Sequence, residues 1–154
     1  MATAFDTFDQ YALGHYDGQI EDRSHADVVS WLATGSAIGY GLAVHYTGDK
    51  EAALPTDSEA SNGITVRETV RDNAAGDNPD VEYDQDTEMS VLRVGRVWVT
   101  VDSGAAVGDT VYVVPDTGRI SNTDDADTNI EFVGASFLTA ASAGDRALIQ
   151  LNGN

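Results

Sequence analysis

The chain has 154 residues, 26 acidic side chains against 8 basic ones, a formal net charge of -18 and no cysteine. Its length fits one domain that buries roughly two thirds of its unfolded surface. The absence of cysteine excludes disulfides and thiolate chemistry, and there is no run of 18 apolar residues to span a bilayer and no basic, apolar leader. With 19 Asp, 7 Arg and the single lysine Lys50, none of them clustered, the surface repels phosphate, and backbone-driven binding to nucleic acid is not expected. Such a charge destabilises a compact chain by self-repulsion unless salt screens it; the Debye length falls from about 8 Å at physiological strength to about 3 Å at 1 M. An Asp-rich, lysine-poor surface therefore points to a protein working in concentrated salt, with selection for solubility alone as the other explanation.

Residues 1 to 23 carry Phe5, Phe8, Tyr11 and Tyr16 with neither helical nor strand period, which reads as an extended arm. Such a segment packs on its parent domain or lies across a neighbouring molecule, where aromatics are the main anchors; a frayed terminus is the alternative. Residues 24 to 33 suit either a short helix capped by Ser24 or a strand with Val29 and Trp31 inward. From 37 to 50, Ile38, Tyr40, Leu42 and Val44 alternate with Gly39, Gly41 and Ala43, predicting a strand against a close neighbour, ended by the turn Thr47-Gly48-Asp49-Lys50. In ITVRETV, Ile64, Val66, Glu68 and Val70 share one face, with Glu68 near a sheet edge. Residues 71 to 88 are acidic and poor in apolar side chains, which predicts a solvated loop.

Residues 90 to 114, SVLRVGRVWVTVDSGAAVGDTVYVV, are the longest stretch of one kind, and that kind is β. Val97, Val99 and Val101 fall on one face and Trp98 and Thr100 on the other. Upstream of Gly95 the apolar positions Leu92 and Val94 are even-numbered, so the inward face shifts at a glycine, as a bulge or tight bend would make it. Val114 to Ile120 reads as a hairpin turn and 121 to 129 as a second acidic loop. EFVGASFLTAAS and RALIQLN supply the last strands, with Ala147, Ile149 and Leu151 on one face. GAAVGDTVYVV and TAASAGDRALIQL share a small-residue turn, Gly-Asp and a strand, either a weak internal echo or the same local solution used twice. The fold class is all-β, an antiparallel barrel or sandwich.

The residues offer no active site. His15, His25 and His45 lack a short ligand spacing, so no zinc site is expected. Asp125, Asp127 and Asn129 mimic the start of a calcium loop, but Ile130 stands where glycine should turn the chain and Ser136 where Glu should close it. No phosphate loop, nucleophile elbow or pocketed carboxylate pair is present. We expect no enzyme, no cofactor and no metal.

The order YDGQIED (16 to 22), DVVSWLATGSAIGYGLAV (27 to 44), VLRVGRVWVTV (91 to 101), VGDTVYV (107 to 113) and GASFLTAASAGDRALIQLN (134 to 152) resembles the structural cement, or head decoration, proteins of tailed phages. The departures are Gly39, where that family often has proline, and the acidic insert near 71 to 88. The resemblance implies a β-tulip-like barrel, residues 24 to 154 as one domain, behind an arm of residues 1 to 23. It implies a virion protein on the outer surface of an icosahedral head, with the major capsid protein as partner, stabilising contacts between capsid subunits as a homotrimer and using neither nucleic acid nor membrane. The candidate contacts are Phe5, Phe8, Tyr11, Tyr16, Gln19 and Ile20. The acidic surface would suit a virus of a halophile. The alternative function is a carbohydrate-binding or adhesion β-sandwich, for which Trp98 and Tyr112 are the available aromatics, although their valine-rich surroundings place them in the core.

Overall fold

Period-two patterning over most of the chain gives eleven strands in the computed structural model, which describes residues 16–67 and 82–152. After a 3-10 turn at Arg23–His25 come β1 (Asp27–Ala33), β2 (Ile38–Gly39), β3 (Ala43–Gly48), β4 (Glu51–Ala53) and β5 (Gly63–Thr65). Then follow β6 (Glu82–Tyr83), β7 (Glu88–Thr100), β8 (Thr110–Val113), β9 (Ile120–Ser121), β10 (Ile130–Phe137) and β11 (Arg146–Asn152). Nine strands form one sheet in the order β1-β4-β3-β5-β7-β11-β10-β8-β9, and β1 also pairs with β7, which closes β1, β4, β3, β5 and β7 into a barrel. The strands beyond β7 come back toward it where Val101 bridges Ile120. The pairing of β1 with β4 is parallel and the other strand pairings are antiparallel, so the barrel is mixed.

The long strand β7 is therefore common to two lobes, and its sequence reflects both. Met89 and Val91 face a core with Trp31, Ile38, Tyr40, Val44 and Tyr83. Leu92, one step out of phase, faces the larger core, which Val97, Val99 and Val101 then continue. The phase change expected at Gly95 is present. Asp27 pairs with Val94 but Val28 with Leu92, leaving Arg93 as the extra residue of a bulge, and Gly95 follows at φ +134°. The larger core runs across the lobes, joining Ala43, Ile64 and Val66 to Val111, Phe132, Phe137 and Ile149. Each such aliphatic side chain, once buried, stabilises the fold by about 1.5–3 kcal/mol relative to exposure.

Three local readings are settled by these contacts. Residues 24 to 33 are a capped 3-10 turn followed by a strand, because Val28 to Leu32 find partners on β7. The stretch from Ile38 to Val44 is two strands, broken at Tyr40 and at Gly41, whose φ is +72°. The expected solvated loop at 71 to 88 must be corrected at its end: Glu82 and Tyr83 pair with Gly39 and Ile38, and Tyr83 is fully buried. Its hydroxyl donates to the Val66 carbonyl and its ring meets Tyr40 edge-on at 5.2 Å. Glu68 and Val70 lie outside the described residues.

Replacing Tyr83 with Phe should cost about 1–2 kcal/mol, because the Val66 carbonyl loses its buried donor while the ring packing stays. The urea midpoint should fall with an unchanged m-value; a midpoint equal to wild type would mean that water reaches this carbonyl.

The echo between the two Gly-Asp turns is a local two-fold in the hydrogen bonding, with equivalent residues 36 apart. Gly108 N–H donates to Phe137 C=O and Gly144 N–H to Val101 C=O. Ala105 and Ala141 exchange both of their backbone bonds, and Thr100 pairs with Arg146 as Ser136 pairs with Thr110. The strands flanking one turn thus pair with the strands flanking the other, and β10 and β11 also pair with each other.

Candidate docking face along the shared strand

Residues 16 to 22, expected as part of an arm, are laid along the C-terminal half of β7 as a strap. Gly18 N–H donates to Trp98 C=O (2.8 Å), Trp98 N–H to Gln19 C=O (2.9 Å) and Glu21 N–H to Arg96 C=O (3.0 Å), with Ile20 opposite Val97. Ile20 turns inward and is only 9% exposed, as part of the larger core. Gln19 holds the turn before it: its side-chain oxygen accepts from Tyr16 N–H and its own N–H donates to Tyr16 C=O, both at 3.0 Å.

The strap fits closely because residue 18 is glycine. Its φ is +78°, and a Cβ there would lie 2.7 Å from Arg67 N and 2.8 Å from Thr65 O. Gly18 C=O meanwhile accepts from Arg67 N–H, and the Arg67 guanidinium lies 4.2 Å from the centre of the Tyr16 ring, a cation–π contact.

Polar side chains clasp the strap from outside. Asp17 Oδ1 accepts from Thr100 Oγ1 at 2.7 Å and from Arg146 Nε at 3.1 Å. Glu21 Oε2 accepts from Trp98 Nε1 at 2.7 Å. Asp22 caps the 3-10 turn, and the Ser24 hydroxyl and amide that bond it hold its carboxyl below the usual range. Asp27 pairs with Arg93 at 3.8 Å, half-exposed on both sides.

Of the six residues expected at the contact, Tyr16, Gln19 and Ile20 come together at this strap, while Phe5, Phe8 and Tyr11 lie outside the described residues. Trp98 and Tyr112 are not core residues. Val97 and Val99 on one strand and Val111 and Val113 on the other take the inward positions, so the aromatics stand on the outward side, half-buried. Asp17, Arg96, Thr100 and Arg146 were absent from the sequence-based candidates. The alternation on β7 already places Arg96 and Thr100 beside Trp98 on its outer face; the long-range partners of Asp17 left no local signal.

The sequence matches the family described as "Structural cement protein (E217 gp24/Pam3 gp6)" over residues 7–152. No curated protein matches it. Among solved structures it is similar to a chain in the capsid of Myoviridae phage XM1, with a TM-score of 0.67 and 16% identity over 89% of each chain. It is also similar to the N base of the head fiber gp8.5 of bacteriophage phi29, with a TM-score of 0.52 and 15% identity over 82% of this chain and 93% of that one. At such identities these likenesses concern the fold, while the family match reaches from the end before the strap through both lobes.

Proposed function

Because the chain belongs to the phage structural cement protein family, we propose that it binds the outer surface of an icosahedral tailed-virus head and stabilises contacts between major capsid subunits. It is a capsid-decoration protein and its place is the virion. The observation that carries the finer reading is the family match over residues 7–152, which takes in the strap and the residues just before it. The role is structural rather than catalytic.

The N-terminal arm supplies capsid contacts through Phe5, Phe8 and Tyr11. A stable interface buries on the order of 1,600 Å², more than one face of a small barrel readily offers, which favours an arm adding to the barrel's contact. Decoration at three-fold positions gives a homotrimer on the head. Heads lacking the protein, mixed with purified chain, should take it up on their outer surface at a copy number matching the capsid lattice. A lattice map with isolated single copies would refute the trimer, and no uptake at all would refute decoration.

The acidic surface supports a saline working environment. With 26 acids against 8 bases, the unfolding midpoint should rise steeply between 0.1 M and 2 M KCl as self-repulsion is screened. A thermal midpoint that stays put across that range counts against a halophilic host.

A further inference from the structure

Most of the described positive charges are gathered along the strap and the bend of β7. Five of the seven described basic side chains, Arg23, Arg67, Arg93, Arg96 and Arg146, lie on or against the strap and the bend of β7. Four carboxylates share that region, and each is engaged: Asp17 by Thr100 and Arg146, Glu21 by Trp98, Asp22 by Ser24 and Asp27 by Arg93. The rest of the described chain carries sixteen acidic side chains against Lys50 and Arg119. The strap side is therefore close to neutral on a molecule that is otherwise strongly negative.

Arg23 and Arg96 are exposed, and neither makes an ion pair among the described residues. Arg96 lines an open groove between the 3-10 turn and the end of β11, together with Asp22, His25, Gly95, Gln150 and Asn152. Gln150 and Asn152 add amide donors, and Gln150 Nε2 already donates to Asn152 Oδ1. A guanidinium beside side-chain amides is chemistry that receives a carboxylate through charge-assisted hydrogen bonds. Asp22 at the lip accepts from Ser24 and feels the charges of Arg96 and His25 without forming an ion pair with Arg96.

We propose that this groove and the strap side around it form the surface that meets the capsid shell, and that Arg96 and Arg23 receive carboxylate side chains of the shell protein. The inference rests on the decoration role proposed above and names the face that performs it. Against a shell surface that presents carboxylates, the other described faces would bring like charge, a juxtaposition that costs several kcal/mol across an interface. The strap side brings neutrality, unpaired guanidiniums and the half-buried aromatics Tyr16 and Trp98.

The test compares two double variants of the full chain that lower the positive charge equally. Arg23→Gln with Arg96→Gln removes the groove cations; Lys50→Gln with Arg119→Gln removes the two cations of the acidic remainder. Affinity for heads lacking the protein is measured for each, alongside the thermal midpoint and self-association by sedimentation without heads. The expected result is that the first pair weakens head binding about 10- to 100-fold at an unchanged midpoint, while the second pair binds as the intact chain does. Equal weakening by both pairs would reduce the effect to net charge and overturn the proposal. So would loss of self-association with head binding intact, which assigns the groove to contacts between copies. Failure of the intact chain to bind heads would remove the decoration role itself, a result distinct from either of these.

Discussion

Removal of residues 2–14 is expected to abolish decoration of heads while leaving a soluble β protein that unfolds cooperatively. The described contacts of the strap, namely the turn with Gln19, the Asp17 bonds to Thr100 and Arg146, the fit of Gly18 and the burial of Ile20, all lie beyond the deletion. The deletion leaves every described residue in place and removes Phe5, Phe8 and Tyr11, the proposed anchors. Aromatic anchors at an interface contribute about 2 kcal/mol or more each, so losing three should weaken binding on the order of a thousandfold or more. Equilibrium binding to heads and urea unfolding of the truncated chain decide the matter. Tight binding by the truncated chain would take the arm out of the contact, and a chain that cannot fold would make it part of the core.

Replacing Gly18 with Ala should cost about 2–4 kcal/mol and release the strap. Two penalties add: a left-handed φ of +78°, and a Cβ pressed against the backbone of Thr65 and Arg67, which cannot swing aside as a side chain would. Gly35 and Gly144 separate the two, because their φ values are +83° and +86° and a Cβ on either meets nothing within 4 Å. Alanine at those positions should cost only the conformational part, about 1 kcal/mol. Trp98 offers a local readout, since its indole N–H bonds Glu21 on the strap. Its fluorescence should shift to the red in the Gly18 variant and stay put in the other two. Equal losses at all three glycines would mean that the close fit contributes nothing.

The sequence made visible what repeats at short range. The valines of β7 and the displacement of their phase at Gly95 could be read because both signals lie within a few residues; the displacement keeps the strand on the larger core from Leu92 to Val97, while its opposite face gives Met89 and Val91 to the smaller one. The same alternation placed Trp98 opposite Val97 and Val99, hence outward; the density of valine, which says only that one face is buried, suggested otherwise. Tyr83 was hidden for another reason. Its strand has two residues among acidic neighbours, and what buries it is Ile38, Tyr40 and Val66, far away in the chain. Arg146, 129 residues from Asp17, and Thr100, 83 residues from it, were beyond any local pattern. The candidate face was thus half legible: its aromatic and glycine positions stood out, and the charges that neutralise it did not.

The sharing of β7 also governs how the chain can be made. The barrel of the first lobe lacks a wall until residues 88–100 exist, and the second lobe takes its remaining partners from the last strand, β11. The exchanged pairing 36 residues apart ties the strands flanking each Gly-Asp turn to those flanking the other. Most of the strand pairings join distant parts of the chain, the hairpins β3–β4, β8–β9 and β10–β11 being the local ones, a topology that folds slowly, on the millisecond-to-second scale typical of non-local β proteins. During synthesis the barrel of the first lobe can close only once residue 100 is made, and the larger core, which joins both lobes, only when the last strand follows. On the ribosome, the exposed strands of a nascent chain have only its own acidic repulsion to keep them from neighbouring chains, which gives the large negative charge a use before the virion is ever assembled.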